Sequence, residues 1–380
     1  MAKNNLTGLI PILYAAAETI SRELVGSIVA ATRYFGAEAV GLGQTIRVPV
    51  TPTKTTRDIL PGQLPPAPEG TNFGYTDMII SKNKAVEASA WTGDEELSVG
   101  SHKGIVKQHE IEQSMRVLVN EAELDLCVEA VQGALEHGNY IGVPGTTPFG
   151  VTPHKDFAEA VKFMDDMGSP KFMRNAILNT AAAANLRGSE KLNSVAHSGT
   201  ADLLRQGVIG DIHGFAIRES AGLILTSAGS ATSVTLSAAA NPGEDIIAIN
   251  ALSGSLNKGA LITLGGKMYV VKSDYAAGTT QIAIGPAIID GVTSGSTGTV
   301  VASYLPSVMF TPDFLYSIVR PPARPEGGDS ARDVITVTDP VSGLTFQAAL
   351  YEGYYQNMVE IGLAWGQKVI NPRHGLCYLG

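Results

Sequence analysis

Residues 44–74 read QTIRVPVTPTKTTRDILPGQLPPAPEGTNFG. Residues 44–50 alternate apolar and polar side chains and predict a short strand. Residues 51–74 show no apolar periodicity, and their prolines favour an extended, polyproline-like backbone. The strand pattern resumes over Tyr75 to Thr92, where Val86, Ala88 and Ala90 are predicted to share one face. The sequence therefore predicts a long two-stranded arm with an irregular tip.

The tip of this arm has two interpretations. Loops longer than about 12–15 residues without secondary structure are uncommon inside compact domains and are usually functional or disordered. Residues 51–74 are therefore either a functional loop or a floppy surface loop, and the sequence does not decide between them.

A long amphipathic helix is predicted after the arm. From Val106 to His137 apolar residues recur at steps of three and four, and Gly138 then ends the pattern. Such a helix is roughly 48 Å long at about 1.5 Å per residue and exceeds the mean helix length. It suits a spar across a flat domain. Cys127 lies among its apolar positions and is interpreted as a small buried hydrophobe.

The next hundred residues mix helix and strand patterns. A helix is predicted at DFAEAVKFMDDMG, a strand at RNAILN and a helix at TAAAANLRG. The stretch LLRQGVIGDIHGFAIRESAGL, Leu203 to Leu223, combines the end of a helix, a glycine-rich turn and an outgoing strand. These segments predict an α+β fold rather than a helical bundle.

Between Ile224 and Tyr304 the composition changes. The segment is rich in Ser, Thr, Gly and Ala, and short strand patterns alternate with glycine-containing turns. LGGK, with Gly265 and Gly266, predicts a two-residue hairpin. We interpret this segment as a small inserted β-barrel or sandwich. Beyond it the sequence predicts longer strands and one short helix at TPDFLYSIV.

Composition limits the class of protein. The chain has 380 residues, of which 44% are hydrophobic and only 17% charged, so its surface charge is sparse, as expected when much of a surface is hidden in an assembly. The net charge of −9 argues against tight binding to nucleic acid, which needs clustered Lys and Arg. The apolar start, MAKNNLTGLIPILYAAAETI, is interrupted by Pro11 and continues into a helical pattern, which does not fit a signal peptide. No apolar run approaches the roughly 18 residues of a membrane span.

Reactive residue types do not form a recognisable site. The end of the chain, NPRHGLCYLG, contains Arg373, His374 and Cys377, and His213 lies six residues before Glu219. No nucleophile stands at a diagnostic spacing from a base, and no Cys or His pattern fits zinc. The glycines of the inserted segment do not form a phosphate-binding loop that opens a helix. No catalytic, cofactor-binding or metal-binding residue is therefore predicted.

Three segments carry a resemblance to a known family. They are residues 203–223, VMFTPDFLYSIVRPPARP at 308–325, and VEIGLAWGQKVINPRHG at 359–375. Together with the order of the other elements, they resemble the coat proteins of tailed bacteriophages with the Hong Kong 97-type fold, and in particular the short-tailed-phage coat family that carries an inserted β-domain. The similarity extends over nearly the whole chain, although no single motif in it is highly specific.

The resemblance implies an α+β fold with a defined order of regions. These are an N-terminal arm (1–43), an extended loop (44–95), the spine helix and the start of the peripheral domain (96–153), the peripheral and axial domain (154–223), the inserted β-domain (224–304), and returning strands of the peripheral and axial domains (305–380).

The resemblance also implies a function and partners. The chain is expected to be a major capsid protein, not an enzyme, whose copies form pentamers and hexamers of an icosahedral head around double-stranded DNA. In such a head the extended loop overlaps the adjacent subunit and the N-terminal arm reaches another. Expected partners are a separate scaffolding protein, a portal and, as an optional addition, a decoration protein; DNA is contacted only non-specifically, and no membrane or cofactor is involved. The expected location is the virion, assembled in the host cytoplasm. Candidate subunit-interface residues are Arg57, Pro61, Leu64, Pro65, Pro66, Glu69 and Arg373.

Three other hypotheses stay open at the level of sequence. An encapsulin-type nanocompartment protein would share the fold, but the inserted β-domain and the N-terminal arm favour the phage protein. A hydrolase using Cys377 or His213 would belong to a different class. A secreted β-rich adhesin would account for the Ser/Thr/Gly-rich segment but not for the long amphipathic helix.

Overall fold

The computed structural model describes most of the chain. The described residues are 10–23, 26–34, 38–50, 56, 58, 61, 74–146, 148–150, 153–189, 210–338 and 343–380.

Its helices and strands run as follows. The helices are α1 (Ile10–Glu23), α2 (Ser27–Ala30), α3 (Gly93–Val99), α4 (Lys103–Glu136), α5 (Pro153–Asp166) and α6 (Thr180–Arg187). The strands are β1 (Thr32–Tyr34), β2 (Thr45–Val50), β3 (Gly74–Ile79), β4 (Lys82–Thr92), β5 (Tyr140–Gly142), β6 (Arg174–Leu178), β7 (Phe215–Glu219), β8 (Thr226–Ser227), β9 (Ser233–Thr235), β10 (Ile246–Ala248), β11 (Leu261–Leu264), β12 (Lys267–Val271), β13 (Gln281–Gly285), β14 (Thr297–Val301), β15 (Ser303–Tyr304), β16 (Pro306–Phe310), β17 (Leu315–Arg320), β18 (Ala331–Thr338), β19 (Thr345–Gly353), β20 (Gln356–Val369) and β21 (Gly375–Leu379).

The long helix α4 is the spine of the molecule. It begins at Lys103, about one turn before the predicted start, and Gly138, at φ +74°, lets the chain turn away at its end. The predicted helix is therefore confirmed. Its apolar face is buried against a long twisted sheet, and the buried positions of this face include Ile111, Met115, Leu118, Ala122 and Leu126.

The sheet under the spine is built around β20. The strand order is β1-β17-β20-β19-β18, in which β17 and β19 pair with different parts of the same edge of β20. Strand β4 pairs with the opposite edge of β20. Alternate residues of β20, among them Ile361, Leu363 and Trp365, pack in the same core cluster as the spine helix. The fourteen residues of β20 therefore hold β4 on one side and both β17 and β19 on the other.

A second sheet shares core residues such as Val308 and Cys377 with the spine helix. Its order is β5-β21-β16-β6-β7, and its own core includes Phe149, Phe157, Met164, Phe215 and Leu376. The C-terminal stretch forms β21, which lies between β5 and β16 and is buried along its whole length. This end of the chain is therefore part of a sheet core.

The inserted segment forms a closed barrel. Its six strands follow the order β10-β13-β12-β11-β14-β9, and a bridge between Leu236 and Ile249 joins the two outer strands. Closure removes the exposed edges that an open sheet presents. The predicted hairpin is present, with Gly265 and Gly266 both at positive φ between β11 and β12.

The barrel is seated on the spine helix. A Cβ at Gly285 would lie 2.9 Å from the Cα of Glu136, so the two backbones are in close contact. The side-chain amide of Gln132 also donates to the carbonyl of Val271 at 3.4 Å. The inserted barrel is therefore attached to the spine by packing and not only by its two linkers.

One sequence prediction of a helix is wrong. TPDFLYSIV forms a single 3-10 turn, Pro312–Phe314, followed by strand β17. This strand lies between β1 and β20, and four of its six residues, Leu315, Ser317, Ile318 and Val319, are buried. A short strand that is buried on both faces loses the alternating pattern, so its sequence can be mistaken for a buried helix.

The predicted return strand of the arm is two strands. The chain breaks at Ile80 and Ser81, so that β3 pairs with β2 while β4 joins β20 in the large sheet. A register shift in the β4–β20 pairing then changes the buried face: Ala88 is buried, but Ser89 follows it inward and Ala90 is exposed. A bulge of this kind moves later side chains to the opposite face.

The N-terminal segment packs on its own chain. Leu13, Ala16 and Ala17 of α1 are buried in the core cluster of the spine helix, and β1 pairs in parallel with β17. The described part of the arm therefore buries an apolar face on its own chain, and the expectation that the N-terminal arm reaches another subunit stays a prediction, because a single chain contains no neighbour.

Candidate assembly surfaces

The base of the arm is fixed to the body of the protein. In the β2–β3 ribbon, Thr45 lies opposite Ile79 and Val48 opposite Thr76. One face of the ribbon carries Val48 and Met78, which are buried in a small cluster with Ile318. This cluster holds the ribbon where it leaves the body.

The other face of the arm is exposed and carries polar and aromatic groups. The Nε atom of Arg47 lies 3.3 Å from the Oδ1 atom of Asp77, and its guanidinium stands 4.4 Å from the centre of the Tyr75 ring. Tyr75 and Ile79 are themselves exposed. Aromatic and arginine side chains are enriched in protein interfaces, so this face has the composition of a contact surface.

The candidate interface residues are only partly described. Pro61 is an exposed turn residue, and Arg373 is exposed in the 3-10 turn Pro372–His374 between β20 and β21. Arg57, Leu64, Pro65, Pro66 and Glu69 lie outside the described residues.

A charged network joins the start of β4 to the spine helix. The ammonium of Lys82 lies 2.9 Å from Glu121 Oε1 and 2.8 Å from Asp125 Oδ2, and the Trp365 indole donates to Asp125 at 2.9 Å. Hydrogen bonds from Lys84 and Lys82 hold the pKa of Glu121 below its usual value. This network fixes the strand that follows the arm against the spine.

A buried carboxylate ties the N-terminal segment to the spine. Glu123 accepts hydrogen bonds from the backbone N–H groups of Ser27 (2.6 Å) and Ile28 (2.8 Å) and from the hydroxyl of Ser220 (2.8 Å). A Cβ at Gly26 would lie 1.9 Å from the Glu123 carboxylate, so only glycine fits there. No local pattern in the sequence predicts this site, because Glu123 and its partners are more than ninety positions apart.

The two cysteines are not arranged as nucleophiles. Burial, reinforced by the nearby charge of Glu123, raises the pKa of Cys127 to about 12. Burial also raises the pKa of Cys377, which is fully enclosed in β21. Since the thiolate is the reactive form, neither side chain is set up to attack a substrate at neutral pH.

The structure does not bring His213 and Glu219 together as an acid/base pair. Glu219 forms an ion pair with Arg187, whereas the His213 ring packs edge-on against His154, with ring centres 6.0 Å apart. Among the described residues no group of His, Cys, Asp and Glu is placed to hold a metal ion.

The helices of the described residues do not include a membrane span. Every helix in the described segments is too short or too polar to cross a bilayer.

Comparison with known proteins gives structural matches only. No family model and no curated protein matches the sequence. A chain of the capsid structure of cyanophage P-SCSP1u is 11% identical, with 92% of this chain and 86% of that chain covered at a TM-score of 0.50. A chain from Mycobacterium phage Che8 is 14% identical, with 88% and 84% covered at a TM-score of 0.46. A chain of the virus-like particle from Pyrococcus furiosus is 9% identical, with 97% and 99% covered at a TM-score of 0.43.

The match to the cyanophage capsid shows the fold. This chain combines a long spine helix on a large sheet with a two-stranded arm and a second sheet. The match covers most of this chain and most of the cyanophage chain. The chain has the Hong Kong 97-type fold of tailed-bacteriophage capsid proteins, with an added β-barrel.

Proposed function

We propose that this chain is the major capsid protein of a tailed bacteriophage. Many copies would form pentamers and hexamers of an icosahedral shell that encloses double-stranded DNA. The observation that carries the proposal is the capsid-protein fold, shared with the cyanophage capsid chain over most of the length. The β2–β3 ribbon adds to it, because one of its faces is exposed and its sequence continues into a long proline-rich segment without apolar periodicity.

The proposed mechanism is geometric. A shell divides its free energy of assembly over many copies of a few interfaces, so each interface can be weak while the closed particle is stable. The spine helix and the sheet under it would keep each subunit stiff. The arm would extend this rigid body across a neighbour.

The candidate interface residues take their roles from this arrangement. Arg57, Pro61, Leu64, Pro65, Pro66 and Glu69 would contact the adjacent subunit at the arm tip. Prolines limit the conformations of the free tip and so reduce the entropy lost on docking. Arg373, exposed after β20, would bind a carboxylate of a neighbour through its two-pronged guanidinium.

Other partners follow from the same proposal. The shell would need a scaffolding protein and a portal during assembly in the host cytoplasm, and a decoration protein could bind the finished virion. The net charge of −9 favours only non-specific contact with the packaged DNA. The chain would be structural and not catalytic. The six regions given by sequence, from the N-terminal arm (1–43) to the returning strands (305–380), remain the proposed domain division.

Electron microscopy of the purified protein, together with analysis of what the particles contain, tests the proposal. Closed icosahedral particles are expected, formed with a co-expressed scaffold where the chain alone does not close. In infected cells they should contain DNA. Enclosed enzyme cargo would instead favour a nanocompartment, and a purified chain that stays monomeric under all assembly conditions would contradict both. A hydrolytic activity that is lost in Cys377→Ser or His213→Ala while the fold is retained would favour the hydrolase.

A further inference from the structure

Arg320, at the end of β17, is largely enclosed but lacks hydrogen-bond acceptors. Its side chain is only 15% exposed, and its Nε atom is buried without a partner. Within the described segments, no oxygen atom accepts a hydrogen bond from this guanidinium. The carboxylate of Glu38 lies 3.8 Å from Nη1, beyond hydrogen-bond distance, and Glu38 is itself 91% exposed. Such a long contact to a solvated group is weak.

Two other arginines of this chain show what Arg320 is missing. Arg174, 3% exposed, pairs with Asp165 at 2.7 Å and donates to two backbone carbonyls of the loop between α5 and β6. Arg324 donates to both carboxylate oxygens of Asp329 at 2.8 Å. A buried charge is costly unless it is paired and hydrogen-bonded. Arg174 and Arg324 meet this condition inside the chain, whereas Arg320 does not.

The position of Arg320 places its free donors beside the base of the arm. Ile318, two residues earlier on β17, lies on the same face of the strand and packs with Val48 and Met78 of the ribbon. The cross-strand neighbour of Arg320 is Ala364, whose methyl group cannot accept a hydrogen bond. Because part of the Arg320 side chain stays exposed, an acceptor from outside can reach it.

The chemistry of the guanidinium limits the partner to an anion with paired oxygens. Carboxylates and phosphates both bind two of its N–H groups in parallel. The chain has 36 acidic and 27 basic residues, so each copy carries an excess of carboxylates, and its net charge of −9 repels the phosphates of nucleic acid. Charge complementarity therefore favours a carboxylate of a second copy.

We propose that Arg320 binds an exposed carboxylate of a neighbouring copy of this chain, so that its guanidinium is satisfied only in the assembly. The proposal rests on the proposed shell function, since it names a place where the copies meet. An arginine that is costly in the free subunit gains its acceptors on docking, and this favours the one arrangement in which the carboxylate reaches it. Removing the charge should therefore affect the free subunit and the assembly in opposite directions.

A pair of matched variants tests this opposition. Arg320→Met keeps a long side chain but removes the charge, so the free subunit should melt at the same or a higher temperature than the wild type. The concentration needed for assembly should rise about tenfold or more, measured by light scattering with a scaffold present where the wild type needs one. Arg324→Met is the control: its charge is satisfied inside the chain, so its melting temperature should fall while its assembly threshold stays unchanged.

Zero-length crosslinking identifies the partner. Arg320→Lys places a primary amine at this position, and a water-soluble carbodiimide joins an amine to a carboxylate that it touches. Assembled particles of the variant should give a covalent dimer in which mass spectrometry finds residue 320 joined to an Asp or Glu of the other copy. Dissociated subunits should lack this linkage. A linkage to Glu38 within one chain, or to a scaffolding or decoration protein, would overturn the proposal.

The remaining outcomes separate this inference from the proposed function. If wild-type particles form and Arg320→Met assembles at the wild-type concentration, or melts lower than the wild type, the contact is wrong and the shell function stands. Glu38→Gln should assemble normally, and a defect equal to that of Arg320→Met would make Glu38 the partner instead. Normal empty particles of Arg320→Met that retain less DNA would assign the guanidinium to a phosphate. If the wild-type chain forms no oligomer, both the function and the contact fall.

Discussion

At the scale of residues, the most consequential contacts join positions that are far apart in the chain. Glu123 caps the segment at Ser27, and Arg174 shapes the loop that ends at Met173. The apolar spacing of the spine helix predicts which of its residues are buried, because that spacing follows the helical repeat. It could not predict that Glu123 is buried on the same helix, since a buried carboxylate is satisfied only by groups that the fold brings to it.

The close fit at Gly26 gives a sharp stability prediction. In Gly26→Ala the new methyl group would meet the Glu123 carboxylate, which three hydrogen bonds hold in place. We expect a loss of about 1–3 kcal/mol in the free energy of unfolding, the usual cost of overpacking a filled site. Gly41→Ala is the matched control because nothing lies within 4 Å of a Cβ there. Equal unfolding midpoints in urea for the two variants would contradict this account of Gly26.

Glu129 gives a prediction for pH. Burial raises the pKa of Glu129, and the nearby charge of Glu136 raises it further. The hydrogen bond from the Val369 N–H and the positive charge of Lys258 lower the pKa, but the effect of burial is larger. A carboxyl whose pKa is raised on folding makes the folded state less stable as pH rises through its unfolded and then its folded pKa. Glu129→Gln keeps an acceptor for Val369 but removes the charge. The variant should melt higher than the wild type at pH 7, with the difference shrinking toward pH 4; a lower melting temperature at pH 7 would show that the charge is favourable.

At the scale of elements, the sequence predicts those helices and turns correctly whose patterns are strong and local. The spine helix and the Gly265–Gly266 hairpin were predicted because their patterns are local. The pattern of TPDFLYSIV wrongly predicts a helix, because β17 is enclosed by two strands and its sequence shows no alternation. The division of Tyr75–Thr92 into β3 and β4 depends on two different partners, β2 and β20, which no short window of sequence contains.

The inserted barrel should fold by itself. Its strands close through the Leu236–Ile249 bridge around a buried cluster of its own. Leu261 and Val270, however, pack in the core cluster of the spine helix, so an isolated barrel exposes them. A fragment of residues 222–304 should unfold cooperatively, with a lower midpoint than the barrel has in the full chain. Circular dichroism during heating measures this, and a gradual melt without a transition would exclude an independent barrel.

At the scale of the whole molecule, many of the described elements pack around the spine helix. The spine helix, the sheet around β20 and the seated barrel are joined by buried clusters and by the Lys82–Glu121–Asp125 network. The β2–β3 ribbon is held on the body through Val48 and Met78, and the Lys368 ammonium donates to the carbonyl of Asp77 at 2.9 Å. Sequence predicted this ribbon and its proline-rich tip, but a single chain cannot show what the ribbon touches, because the proposed partner is another copy.

Shortening the tip of the ribbon tests its role. Deletion of Pro61 to Glu69 spares Val48 and Met78, so the packing that anchors the arm stays in place. The melting temperature of the subunit should therefore change by less than about 1 °C, the shift that a loss of about 1 kcal/mol gives in a chain of this length. Assembly should fail, or the particles should dissociate at a lower urea concentration, because each copy loses a contact with its neighbour and the loss is repeated across the shell.

A second variant separates the prolines from the length of the tip. Replacing Pro61, Pro65, Pro66 and Pro68 with Ser keeps every residue position but makes the free tip more flexible, so docking loses more entropy. Its particles should form, and they should dissociate at a urea concentration between those of the wild type and the deletion. If the deletion variant instead forms particles with wild-type resistance to urea, residues 61–69 are a surface loop without a partner, and the contacts between copies must lie elsewhere on the chain.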